Sequence, residues 1–219
     1  MSFPLRTSVD SRNMSLYKTI GKRASVEQII EKSRFIGHIC PVENREEAEA
    51  FIAGIRAQYK DATHNVPAMV LGDQFQIQWA SDDGEPQGTS GAPMVQMLTA
   101  QGVTNVALVV TRYFGGIKLG PGGLVRAYTG TARLALEEAG IVEVKEREFF
   151  LVEFAYPYLD KLQHLAAQGS FSLEGLTYAE LVGGLISVPP EDSEELLELL
   201  NQVTSGTVKI LERKIRETR

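Results

Sequence analysis

Cysteine occurs once in the 219 residues, at Cys40. That scarcity excludes an internal disulfide, a zinc knuckle and any Cys-x-x-Cys redox site, and it fits a reducing, cytoplasmic compartment. Long apolar runs are missing too. The longest uninterrupted one, residues 106–110, falls far short of the roughly 20 residues that cross a bilayer, so no membrane partner is expected. Residues 1–13 carry Arg6 and Arg12 but no apolar centre of a secretory signal, and they read as a flexible leader before the first patterned segment at Met14. What is present is ordinary globular composition, 43% hydrophobic and 23% charged, enough to bury a core in one or two domains.

Acid is also missing locally. The net charge of -6 argues against wholesale polyanion binding, yet residues 148–219 hold 12 acidic and 6 basic groups, whereas residues 14–147 hold 15 and 14. Nothing from Pro86 to Leu136 is acidic, while Arg112, Lys118, Arg126 and Arg133 all fall there. This stretch is a local cationic field, or else a segment that is mostly small and buried.

Hydrophobic spacing gives the elements. Residues 26–42 read as two strands around a charged turn at residues 31–34. Asn44 is placed as the N-cap of a helix ending near Tyr59. Residues 66–71 and 75–79 form an expected hairpin about Gly72, with Phe75 and Trp79 on a core face. A helix follows Pro93, residues 106–111 read as a buried strand, and a helix from Leu124 stops at Gly140. The order describes an α+β domain over residues 14–147, with helices on one face of a mainly antiparallel sheet. The charge cluster at residues 143–148 is the expected boundary. Beyond it, residues 148–219 repeat the βαββαβ order of a ferredoxin-like domain.

Three segments could carry chemistry. Residues 115–123 place five glycines after a strand and before a helix, where open N–H groups and the helix dipole favour an anion. Gly120, Gly122 and Gly123 would supply backbone; Arg112, Lys118, Arg126 and Arg133 would supply charge. Neither a P-loop nor a dinucleotide fingerprint fits, since Pro121 stands where the first needs lysine and Val125 where the second needs glycine. A purely structural loop is the alternative. Within residues 81–91, Asp83 and Glu85 could hold magnesium beside a phosphate, or could pair with Arg112 or Arg126 or cap a helix. In residues 61–65, His64 and Asp61 are the candidate proton-transfer groups, with turn hydrogen bonding as the plainer reading.

The segments Asp82-Asp83-Gly84-Glu85-Pro86-x-Gly88-Thr89 and Thr111-Arg112-Tyr113-Phe114-Gly115-Gly116-x-Lys118-Leu119-Gly120 closely resemble the IMPACT family, in its bacterial, YigZ-like branch. Asp61-Ala62-Thr63-His64-Asn65 and Lys32-Ser33-Arg34-Phe35-Ile36 match the same pattern, and the likeness covers about residues 17 to 135. Val66 departs from it, standing where family members commonly carry a cysteine. The resemblance implies a ribosomal protein S5 domain 2-like fold for the first domain and a ferredoxin-like fold for the second. It also implies a link to translation, because eukaryotic relatives regulate it through a protein partner.

Two functions are expected from these readings. One is a cytoplasmic regulatory protein whose basic glycine-rich segment meets RNA phosphates, the ribosome or a regulatory, acidic partner, with no cofactor. The other is a magnesium-dependent enzyme acting on a nucleotide or other phosphorylated small molecule, with Asp83 and Glu85 on the metal and His64 or Asp61 moving the proton.

Overall fold

The computed structural model of the chain describes residues 15–218, so the leader reading for residues 1–13 lies outside the described residues. The fold is mixed α+β and contains two antiparallel sheets. It divides into two compact units, residues 16–144 and 145–218.

In the first unit the strands β1 (Tyr17–Ile20), β2 (Ala24–Ile30), β3 (Ser33–Pro41), β4 (His64–Leu71), β5 (Ile77–Ala80) and β6 (Val106–Tyr113) accompany helices α1 (Arg45–Gln58), α2 (Gly91–Ala100) and α3 (Gly120–Ala139). The main sheet runs β2-β3-β6-β4-β5. Its β2–β3 turn is closed by Glu31 and Lys32, both at positive φ, the twist that a tight two-residue hairpin requires. Asn44 caps α1 by accepting from the Glu47 N–H at 2.9 Å, and the Glu47 carboxylate answers by accepting from Glu43 N.

Sequence periodicity places all helices on one face, and here the structure corrects it. Side chains of β6 alternate between two cores. Val106, Leu108 and Val110 join α2 and α3, whereas Ala107 and Val109 join Ala48, Ile52 and Ile55 of α1 on the other side. A strand covered on both faces has no polar face to display, which is why residues 106–110 form an unbroken apolar run.

Two further expectations shift. The β4–β5 hairpin has a longer loop than its sequence suggests; Phe75 sits in that loop at φ 58 and packs on the core, while Trp79 on the edge strand is 39% exposed. Helix α3 starts at Gly120 rather than Leu124: Gly120, at φ 69, makes the left-handed turn into the helix, and Pro121 needs no N–H partner in a first turn. Gly140, at φ 70, ends α3 as the sequence suggests.

The strand β7 (Ile141–Phe154) pairs with β1 through its first residues and continues into the second unit. There follow α4 (Leu159–Ala167), β8 (Ser172–Tyr178), β9 (Val182–Val188), α5 (Ser193–Val203) and β10 (Lys209–Thr218). The antiparallel order is β10-β7-β9-β8. Phe150, Val152 and Phe154 of β7 join Leu162 of α4 and Leu196 and Leu200 of α5 in a separate core. Among the described residues no helix is long and apolar enough to cross a membrane.

Candidate functional site

The first unit gathers its polar residues at one end of the main sheet. His64 on β4 and Arg112 on β6 are register partners, so their side chains emerge on the same face as α3. The loop after β5 descends onto them. Glu85 of that loop accepts from Arg112 Nη1 at 2.6 Å and from the Tyr128 hydroxyl of α3 at 2.7 Å; His64 Nε2 stands 3.8 Å from the same oxygen. Arg112 also donates to Ser33 Oγ at 3.3 Å and lies between the rings of Phe35 and Phe114. Burial keeps the Tyr128 hydroxyl far above its ordinary pKa, and the Glu85 carboxylate beside it adds to that, so the phenol remains a donor.

The other two acids of the loop are equally committed. Asp83 accepts from Asn65 N at 2.6 Å and from Arg56 at 3.2 Å. Asp82 takes Gly88 N, Ser90 N, Ser90 Oγ and Gly91 N, between 2.7 and 3.2 Å, and so covers the start of α2 that no adjacent side chain caps. Asn65 in turn accepts from Thr111 at 2.7 Å. His64 Nδ1 faces the Asp83 carbonyl at 2.7 Å; a carbonyl only accepts, so this network assigns the ring proton to Nδ1 and leaves Nε2 toward Glu85.

These placements change several expectations. Arg112 is 5% exposed and neutralised by Glu85, which corrects its place among surface phosphate ligands: the β6 register turns it inward. Both oxygens of Asp83 already accept from internal donors, Asn65 N and Arg56, and Oε1 of Glu85 accepts from Arg112 and Tyr128, so the two carboxylates proposed for magnesium hold the loop against the sheet. Asp61 is not joined to His64; it accepts from the Tyr113 hydroxyl at 3.0 Å, on the opposite face of β6 from Arg112. Tyr128, Ser33, Asn65 and Arg56 escaped the sequence reading. A tyrosine on an otherwise apolar helix face was the available signal, since its hydroxyl needs a buried partner.

Outside this network stand Lys118, Arg126 and Arg133, all exposed and without an ion pair to any described residue. Lys118 precedes the first turn of α3, where Gly120, Gly122 and Gly123 lie with no side-chain cap and no acid; Arg126 falls in the second turn and Arg133 about two turns farther along. The Arg126 guanidinium folds back over Gly122, where a Cβ would stand 3.8 Å from Nη1.

Fold and site together define a two-unit α+β chain whose first unit is organised around an internally latched acidic loop. Residues 31–136 match the family model described as Impact N-terminal domain. IMPACT family member YvyE of Bacillus subtilis (strain 168) is 39% identical over 196 residues, covering 90% of each chain. IMPACT family member YigZ of Escherichia coli (strain K12) is 34% identical over 189 residues, covering 85% of this chain and 93% of YigZ. A solved structure described as that of a hypothetical protein aligns with a TM-score of 0.59 at 32% identity, over 91% of this chain and 98% of its own. The chain belongs to the IMPACT family. The four segments that carry its resemblance, at residues 32–36, 61–65, 82–89 and 111–120, each supply a partner to this one network.

Proposed function

We propose that the chain is a cytoplasmic, translation-linked binding protein, with an S5 domain 2-like first unit and a ferredoxin-like second, and that its first unit takes RNA phosphates on the ribosome. The link to translation comes from the family; the ligand class comes from α3. One observation carries the ligand reading. The positive end of a 20-residue helix is left without cap or carboxylate, and an arginine, Arg126, is added to it rather than an acid. Lys118 precedes that turn, and Arg133 follows Arg126 by seven residues, close to the same helix face. Three open cations and a row of free amides suit a polyanion backbone better than one small phosphate. Base readout has no counterpart here, so the contact is electrostatic and tolerant of sequence.

The test is fluorescence anisotropy of a labelled single-stranded polyuridine RNA across a salt series. Each neutralised phosphate adds about -0.7 to the log–log slope, so Lys118→Ala with Arg126→Ala should shallow it by roughly 1.4 units. Unchanged affinity and slope in that double variant would overturn the proposal.

A further inference from the structure

The second unit bears the opposite charge, and it contains a groove that the RNA reading does not use. Between α5 and the end of α4 lies a cleft of about 530 Å³ whose floor includes Leu165, Leu196 and Leu199. Leu165 and Leu199 remain half-buried. Its α5 flank carries Asp192, Glu195 and Glu198, none of them in an ion pair with a described residue. Carboxylates in a first turn suit any helix, which accounts for Glu195. That preference does not account for Glu198, which lies beyond the first turn and lines the same cleft as the half-buried Leu165 and Leu199.

We infer that this groove is the docking site of a cationic amphipathic helix from a partner protein. Charge selects the occupant. From Glu191 to Glu198 there are five acids and no base. The cations of β10 are partly spent, Arg213 on Glu148 and Glu194, and Lys214 on Glu212. A nucleic acid is repelled by such a flank, and a neutral apolar segment leaves the carboxylates unanswered. A helix fits both features, its apolar stripe entering the cleft and its lysines or arginines meeting the rim. Spacing agrees as well. From Asp192, the residue before α5, to Glu198 on it is about 9 Å at helical rise, and basic residues at i and i+7 on an incoming helix are separated by about 10 Å. This site is independent of the RNA surface, lies within one unit, and gives the protein a second class of partner.

The probe is a fluorescein-labelled 18-residue Leu/Lys peptide with its leucines on one helical face, titrated into the full chain. A scrambled peptide of the same composition, with no apolar face, is the reference. The amphipathic peptide should bind at least about tenfold more tightly than the scramble, and Glu195→Lys with Glu198→Lys should weaken it about tenfold. A control reversal at the exposed Glu137 and Glu180 should leave affinity within about twofold. The uncharged pair Glu195→Gln and Glu198→Gln keeps the side-chain shapes and should reproduce part of the loss if the lysine variant fails to fold. Equal binding of the scramble, an equal loss in the control reversal, or full affinity in the glutamine pair would each overturn the assignment.

Discussion

Arg112 reaches Glu85 at 2.6 Å although 27 positions separate them, and both side chains are more than nine-tenths buried. The consequence is a division of labour among charges that look alike in the sequence. Arg112 belongs to the interior and holds the loop after β5 against the sheet; Lys118, Arg126 and Arg133 belong to the surface. A buried ion pair of this kind adds little net stability, but it makes each partner costly to lose alone.

Replacing Glu85 by Ala should therefore destabilise the first unit by about 3–5 kcal/mol, because the buried Arg112 charge loses its carboxylate and keeps only the neutral Ser33 hydroxyl. The double replacement Glu85→Leu with Arg112→Met should recover most of that loss. Urea unfolding followed by the fluorescence of Trp79, the one tryptophan of the chain and a member of the first unit, measures both. Equal instability of the single and double variants would show that shape, not charge, dominates the site.

Tyr128→Phe removes one donor from the same carboxylate and nothing else. A hydrogen bond to a charged group contributes about 1.5–3 kcal/mol, so the urea midpoint should fall accordingly with an unchanged slope. A variant as stable as the parent would mean that Arg112 and water replace the phenol.

How far the sequence disclosed this site depends on the range of each interaction. Local signals were readable: the Asn44 cap, the charged hairpin turn at Glu31-Lys32 and the Gly140 stop each depend on a few adjacent residues. The three acids at residues 82, 83 and 85 were readable as a cluster, but not their destinations, which lie on β4, β6, α1, α2 and α3. Periodicity also could not assign α1 to the second face, because β6 is apolar at every position from Val106 to Val110 and so has no polar side to mark. Spacing alone likewise left the inward turn of Arg112 open, since alternation specifies which residues share a face but not which face is buried.

Gly115 tests the packing of the glycine-rich segment against the hairpin turn. A Cβ there would overlap the backbone carbonyl of Lys32, and backbone cannot swing aside as a flexible side chain can. Gly115→Ala should cost about 1–3 kcal/mol and loosen the Ser33 contacts to Gly115 N and Arg112. Faster amide exchange at Ser33 and Gly115 is the expected signature; exchange identical to the parent would show that the turn yields freely.

His38 supplies a pH dependence. Burial, with a smaller contribution from Arg23, lowers its pKa from 6.5 to about 4, while Ser25 Oγ lies 2.9 Å from Nδ1. The unfolded chain therefore binds the proton more readily than the folded one between those values. Stability from this group is fully present above about pH 6.5 and is lost as pH falls toward 4, by an amount on the order of 2 kcal/mol. His38→Leu should flatten the Trp79-monitored stability profile between pH 4 and 6.5 relative to the parent. An unaltered slope would place the titration elsewhere.

Asp82 governs the acid limb below that window. Burial alone would raise its pKa, but donation from Ser90 Oγ and from the backbone of Gly88, Gly91 and Ser90 outweighs it, and the net shift is downward from 3.8. A depressed carboxylate stabilises the fold above its unfolded value and loses that contribution as pH falls through the lower folded one, so the effect of Asp82 fades only below about pH 4. Asp82→Ala leaves three backbone N–H groups around the α2 N-terminus unanswered and should cost about 1–2 kcal/mol at neutral pH. The penalty should shrink as the parent's own carboxylate protonates, so the two urea midpoints converge in acid. Midpoints that stay parallel down to pH 2 would mean that the loop is held by Asp83 and Glu85 alone, and that the start of α2 is satisfied by water.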